Sequence, residues 1–222
     1  MRVTGMSFLA RFLEKGATVP VGPHATRYAT RKGGEGGSMI TLQFRVKKDG
    51  INVRPRGWSG DTTSVVEKGL KSELSAFPRR GPVYQLSLDE AKSFILGLVV
   101  FAAACPEALQ LKGVGQVMAF DGGFSLPRVP DKSPVSIDLW VEGEALCAQV
   151  VEGLWFDKDL VAGAPEGSTA DEDGIWRMPL GHQAYQTIVF LGLIRACYPK
   201  TFQLRGMRGV LSEWRVRRLA MQ

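Results

Sequence analysis

The chain has 222 residues, 45% of them apolar and 23% charged, a balance that is ordinary for a globular protein and excludes a disordered one. Its net charge of +6 is unevenly spread. Residues 1–80 hold 15 Lys/Arg and 6 Asp/Glu, residues 81–180 hold 6 and 15, and residues 181–222 hold 7 and 1. Two basic ends that meet on folding would form a positive surface, which favours a polyanion as partner. Alternatively, these ends neutralise the acidic middle, within the fold or across an oligomer interface.

Motifs for membrane insertion, metal binding and common cofactors are missing. The most apolar run, residues 94–105, is too short to span a bilayer, and we recognise no secretory signal, so we expect a cytoplasmic protein with no membrane partner. Cys105, Cys147 and Cys197 form no CxxC pair, which predicts buried thiols rather than a disulfide framework or a zinc site. With no GxxxxGK[ST], HExxH or GxSxG motif, we expect no cofactor and no metal.

The first half of the chain begins with a glycine-rich segment, and residues 17–38 are predicted to be a long loop. Residues 40–46 alternate between apolar and polar side chains, as a half-buried strand does. Asp49-Gly50 predicts a hairpin turn, and the return strand runs to Pro55. The two strands direct four basic side chains outward, namely Arg45, Lys47, Arg54 and Arg56.

Two helices and a second hairpin are predicted next. A capping box of Ser64 and Glu67 begins a helix that ends near Phe77. Another capping box, Ser87 with Glu90, begins an almost wholly apolar helix that must be buried. Asp121-Gly122-Gly123 predicts a hairpin turn between short strands at residues 117–120 and 124–126.

The second half is predicted from alternation and from breaks at proline and glycine. Residues 136–141 alternate as a strand, residues 145–156 fit either a strand or a helix, and residues 162–174 form an acidic loop. Residues 182–198 predict a second buried helix. The tail is predicted to end in a strand in which Arg215 and Arg217 share a face.

These elements predict an α+β fold, with a ferredoxin-like antiparallel sheet and a possible helical insert at residues 88–112. No internal repeat is evident. We place a basic segment at residues 1–86 and a segment with an acidic middle and an arginine-rich tail at residues 87–222, packed as one body.

One group of candidate site residues lies in the N-terminal loop. Arg27, Tyr28, Arg31 and Lys32 interleave cations with a ring, as proteins that bind single-stranded nucleic acid do. A solvated basic loop is the alternative. His24 lies beside them and is a candidate general acid or base near neutral pH.

A second group lies in the tail and consists of arginines, which suit bidentate phosphate contacts better than lysines do. A charged edge strand that resists aggregation is the alternative. The group comprises Arg205, Arg208, Arg215, Arg217 and Arg218.

The basic N-terminal hairpin and the glycine and arginine loop at residues 205–209 together resemble the CRISPR-associated RAMP superfamily. Within it, the chain is most similar to the crRNA-processing subunit of type IV systems, although only two of the expected glycines are present. The resemblance implies a ferredoxin-like, RRM-like RNA binder in antiviral defence that processes a repeat hairpin without metal and remains in a ribonucleoprotein.

In such cleavage the 2′-hydroxyl attacks the neighbouring phosphate, a base takes its proton, and cations stabilise the phosphorane. His24, Arg27, Tyr28 and Arg31 are the catalytic candidates that this resemblance implies. The alternatives are a non-catalytic nucleic-acid-binding subunit, whose acidic middle docks protein neighbours, and a protein-interaction scaffold.

Overall fold

The structure, a computed structural model, describes residues 39–58, 65–122, 134–153 and 170–220. The chain divides into two compact units, Met1–Gly123 and Phe124–Gln222. The division falls at residues 123/124, whereas the sequence prediction placed a boundary at 86/87. At that earlier point a strand of the first unit leads directly into a helix of the same unit.

The first unit contains five strands and three helices in its described residues. In chain order they are β1 (Ile40–Lys47), β2 (Gly50–Arg56), α1 (Val65–Leu74), β3 (Arg79–Arg80), β4 (Val83–Leu86), α2 (Leu88–Ala104), β5 (Leu109–Lys112) and α3 (Val114–Met118). The strand order is β3-β4-β2-β1-β5. Strand β5 is parallel to β1, and the other neighbouring strands are antiparallel.

The predicted β1–β2 hairpin is confirmed, with Lys47 opposite Gly50 across a two-residue turn. Its apolar side contributes Phe44 to the core, where Phe94 of α2 packs at a centroid distance of 6.4 Å. Phe77 meets the same ring edge-on at 6.0 Å. These contacts fix α2 against the apolar face of the sheet.

Helix α2 begins at the predicted capping box. The Ser87 Oγ accepts a hydrogen bond from the Glu90 N–H at 3.3 Å, and the Glu90 carboxylate accepts one from the Ser87 N–H at 2.8 Å. The helix ends before Pro106, as predicted. It is the connection that carries the chain from β4 to β5, so the interpretation of residues 88–112 as a helical insert is wrong.

The second unit has four strands and two helices in its described residues. They are β6 (Val135–Glu142), β7 (Ala145–Glu152), β8 (Ile175–Pro179), α4 (His182–Cys197), β9 (Phe202–Arg205) and α5 (Met207–Ala220). The strand order is β8-β7-β6-β9, with β6 parallel to β9 and a bulge opposite Ser136 and Ile137. The predicted strand at residues 136–141 and helix at 182–198 are confirmed, and residues 145–152 form a strand.

Two predicted elements are wrong. Residues 117–118 belong to α3 rather than to a hairpin strand, and the return strand of that hairpin lies outside the described residues. The tail forms α5 where a strand was predicted. Positions two apart in a helix do not share a face, so the prediction that Arg215 and Arg217 share one is wrong.

The α+β class is confirmed, but both sheets are mixed rather than antiparallel. In each unit a helix returns the chain to a strand parallel to the first one, a pairing between distant residues that periodicity does not reveal. Cys105 and Cys147 are buried, Cys197 is half-buried, and all three thiols are free. Among the described helices, none combines the length and apolar character needed to cross a bilayer.

Candidate functional site

The strand register of the first sheet separates a polar face from the core face. Directly opposite residues of paired strands point to the same side of a sheet. Gln43 lies opposite Arg54, and Arg45 lies opposite Asn52. The hairpin therefore places its basic side chains on one face, and these are Arg45, Lys47, Arg54 and Arg56.

The outer strands extend this face in both directions. Lys112 of β5 pairs with Gln43 of β1, which places the lysine on the same side. At the other edge, Arg80 pairs with Val83 of β4, two residues from Gln85, which lies opposite Asn52. We call the resulting set of exposed cations the basic face, and it comprises Arg45, Lys47, Arg54, Arg56, Arg80 and Lys112.

The basic face spans the whole width of the sheet. Strands are about 4.8 Å apart, so Arg80 on β3 and Lys112 on β5 are separated by about 19 Å across four spacings. Along one strand, Arg54 and Arg56 are about 7 Å apart. The cations therefore form a two-dimensional array rather than a single row.

No acidic residue occupies this face in the described strands, and no described carboxylate forms an ion pair with any of its six cations. Neighbouring cations lie within about one Debye length of each other at physiological salt, so they repel one another. Polar amides separate them, including Gln43, Asn52 and Gln85. The array therefore has the electrostatics of an anion-binding surface.

Four of the sequence-predicted binding residues are thus brought together, while Arg80 and Lys112 were missed. Arg80 belongs to a strand of only two residues, which is too short to show any alternation. Lys112 ends a strand of four residues, which is too short for its alternation to be distinctive. The candidates of the predicted N-terminal loop, His24, Arg27, Tyr28, Arg31 and Lys32, lie outside the described residues.

The arginines of the tail belong to the second unit and have different surroundings. Arg205 ends β9, and its Nε is 4.0 Å from the Asp138 carboxylate, an ion pair without a direct hydrogen bond. Arg208 is half-buried in the first turn of α5. The backbone of α5 also includes Arg215, Arg217 and Arg218, whose side chains lie outside the described part of the structure.

The acidic residues of the second unit are partly compensated. Arg177 forms ion pairs with Asp171 and with Glu142, the latter at 3.6 Å from its Nε. Burial raises the pKa of the Cys147 thiol, and the neighbouring Glu142 carboxylate raises that pKa further. Cys147 is therefore a protonated, structural thiol rather than a nucleophile.

In the part of the chain that the structure describes, no three His, Cys, Asp or Glu side chains are grouped so as to hold a metal ion. In comparisons with protein-family models, curated proteins and solved structures, none matched this chain. The candidate function therefore rests on the basic face itself.

Proposed function

We propose that this protein binds nucleic acid, with RNA as the principal ligand, through the basic face of its first unit. One observation carries the proposal: six exposed cations share one side of a sheet that presents no acid among its described residues. Phosphate groups are the ligands that such an array suits, because each neutralised phosphate releases counterions.

The side chains of the basic face favour recognition of the backbone over recognition of the bases. No described residue on this side of the strands is aromatic, so the face lacks the rings on which bases stack in sheet-type RNA binders. The amides of Gln43, Asn52 and Gln110 both donate and accept hydrogen bonds, as contacts with a ribose 2′-hydroxyl require. Binding is expected to depend on backbone shape and charge, with weak sequence preference.

Processing of the bound RNA is the second part of the proposal. It depends on the N-terminal candidates, with His24 as general acid or base, and on the resemblance to the ferredoxin-like CRISPR RAMP proteins. The mixed sheets do not add to that resemblance. A cytoplasmic ribonucleoprotein with further protein subunits on the acidic residues is the setting that this part implies.

Binding is tested by titrating a fluorescently labelled stem-loop RNA and measuring its anisotropy at 100 mM salt. The double variant Arg45→Gln/Arg54→Gln removes two charges from the basic face, and Lys68→Gln/Lys200→Gln removes two exposed charges elsewhere. We expect the first variant to weaken affinity at least tenfold and the control to change it less than twofold. Equal losses in both variants, or no binding of the wild type at low salt, would contradict the proposal, and the second result would favour a scaffold.

Cleavage is tested separately by incubating the stem-loop RNA with excess protein in EDTA. We expect a single specific product from the wild type and none from His24→Ala, which should bind RNA as before. Intact RNA with normal affinity would identify a non-catalytic RNA-binding subunit instead.

A further inference from the structure

The two units of the chain share one topology. Each begins with a hairpin, β1–β2 or β6–β7, and each has a third strand antiparallel to the second. A long helix and a fourth strand parallel to the first follow, and then a final helix. The first unit also carries α1 and β3 between its second and third main strands, whereas residues 154–169 of the second unit lie outside the described residues.

The strand registers of the two units agree residue by residue. In each unit the first strand is parallel to the fourth. The first residue pair of this ladder is Ile40 with Leu109 in the first unit and Val135 with Phe202 in the second. In each unit the first strand ends seven residues after that pair, at Lys47 or Glu142, and a two-residue turn follows. The single difference is the one-residue bulge opposite Ser136 and Ile137.

Glycines with positive φ recur at equivalent places. Gly113 (φ 80°) and Gly206 (φ 77°) follow the fourth strand of their units. A Cβ on either would lie well within 3.0 Å of a backbone carbonyl oxygen, that of Phe44 or that of Leu139. These two carbonyls belong to the same position of the first strand, four residues after its start. Both units thus require glycine for the same close backbone approach.

The end of the long helix is also repeated. The N–H of Cys105 donates to the Phe101 carbonyl at 2.8 Å, and the N–H of Tyr198 donates to the Ile194 carbonyl at 2.8 Å. From these residues the sequence runs CPEALQLKG in one unit and YPKTFQLRG in the other, with proline, glutamine, leucine and glycine in common. The two units therefore agree in topology, in strand register, in the position of a strained glycine and in the sequence before that glycine.

We infer that the chain is an internal duplication of one βββαβα unit, and that only the first copy binds the polyanion. The second statement rests on the proposed function. Four cations of the basic face have uncharged or acidic counterparts in the second sheet: Arg45, Lys47, Arg54 and Arg56 correspond to Trp140, Glu142, Gln149 and Glu152.

The fifth cation shows how the second copy differs. Lys112 corresponds to Arg205, so a cation is present in both copies. In the first copy the residue beside it on the neighbouring strand is Gln43, but in the second it is Asp138, which pairs with the arginine. Arg177 lies on this face too, opposite Cys147, and it pairs with Glu142. The equivalent face of the second copy thus has two cations and three carboxylates, so it is net acidic and does not attract phosphate.

The functional division is tested with matched variants at this equivalent pair, Lys112→Gln and Arg205→Gln. We expect Lys112→Gln to weaken RNA affinity about three- to tenfold. The slope of log K against log[salt] should also become shallower by the amount expected for one phosphate contact. Arg205→Gln should change the affinity less than twofold. If both variants lose affinity equally, the division is wrong although the proposed function stands. If neither does, Lys112 does not contact phosphate, and the division is again wrong.

The duplication is tested without any ligand, by measuring the thermal unfolding of Gly113→Ala and Gly206→Ala. Because each alanine meets the same carbonyl clash and the same unfavourable φ, we expect both variants to lose at least about 4 °C in melting temperature. Gly209→Ala is the control, since a Cβ there meets no atom within 4 Å. A large loss in one glycine variant and none in the other would overturn the structural equivalence.

Discussion

Stepwise removal of the basic face should change the salt dependence of RNA binding in equal steps. Six cations that each neutralise one phosphate give a slope of log K against log[salt] of about −4 for a single strand and about −5.5 for a duplex. Between 50 and 200 mM salt the affinity of the wild type should then fall about 300- to 2,000-fold. Each substitution of a face cation by glutamine should make the slope shallower by about 0.7 to 0.9.

The series begins with Arg54→Gln, because Arg54 lies on the central strand β2, and adds Arg56→Gln and then Lys112→Gln. Binding isotherms at four salt concentrations yield the slope for each variant, and circular dichroism verifies that each one folds. Affinity that falls while the slope stays constant would refute the reasoning, because it would mean that the substitutions disturb the fold or a neutral contact rather than phosphate neutralisation.

Three further predictions concern the scaffold. Ser87→Ala removes the capping-box acceptor of α2, so it should cost about 1 kcal/mol, seen as a melting temperature lower by about 2–4 °C. Phe94→Ala should cost about 3–5 kcal/mol in urea unfolding, because the ring packs between two other phenylalanines, whereas Leu96→Ala on the exposed side of the same helix should cost under about 1 kcal/mol. Burial raises the pKa of Cys197 to about 12 from an ordinary 9.0, so its contribution to stability is intact below pH 9 and is lost as the pH rises toward 12. Urea unfolding between pH 8 and 11 should therefore show a fall for the wild type that Cys197→Ala lessens, and an equal fall in both would contradict that pKa.

The sequence predicted the elements whose signals are local. The β1–β2 hairpin has alternation on both sides of a turn, and α2 has a capping box before an apolar run, so neither depends on distant residues. The tail was predicted wrongly because Trp214 and Val216 alternate with Arg215 and Arg217 over only four residues, too few to distinguish a strand from a helix. The charge counts of the three sequence blocks did not locate the basic face either, because strand pairing determines which charges share a side of a sheet.

The basic face could be predicted only as far as its hairpin. Arg45 and Arg54 are close in sequence and share a turn, so their common side follows from the alternation alone. Lys112 and Arg80 join them only because β5 and β4 pair with particular strands of the same sheet. Pairing between strands separated by a helix is a property of the whole fold and has no local signature.

The repeated segment shows most clearly why a local motif does not determine a binding role. Lys112 and Arg205 have the same preceding residues, glutamine and leucine, and the same strained glycine after them. The arginine was predicted to bind because it lies in a cluster of cations in the sequence, whereas no binding role was predicted for the lysine. The residue on the neighbouring strand separates them, since Gln43 leaves the lysine charge uncompensated and Asp138 offsets the charge of the arginine. That neighbour lies more than sixty positions earlier in the chain, so the difference between an uncompensated charge and an ion pair arises only when the sheet forms.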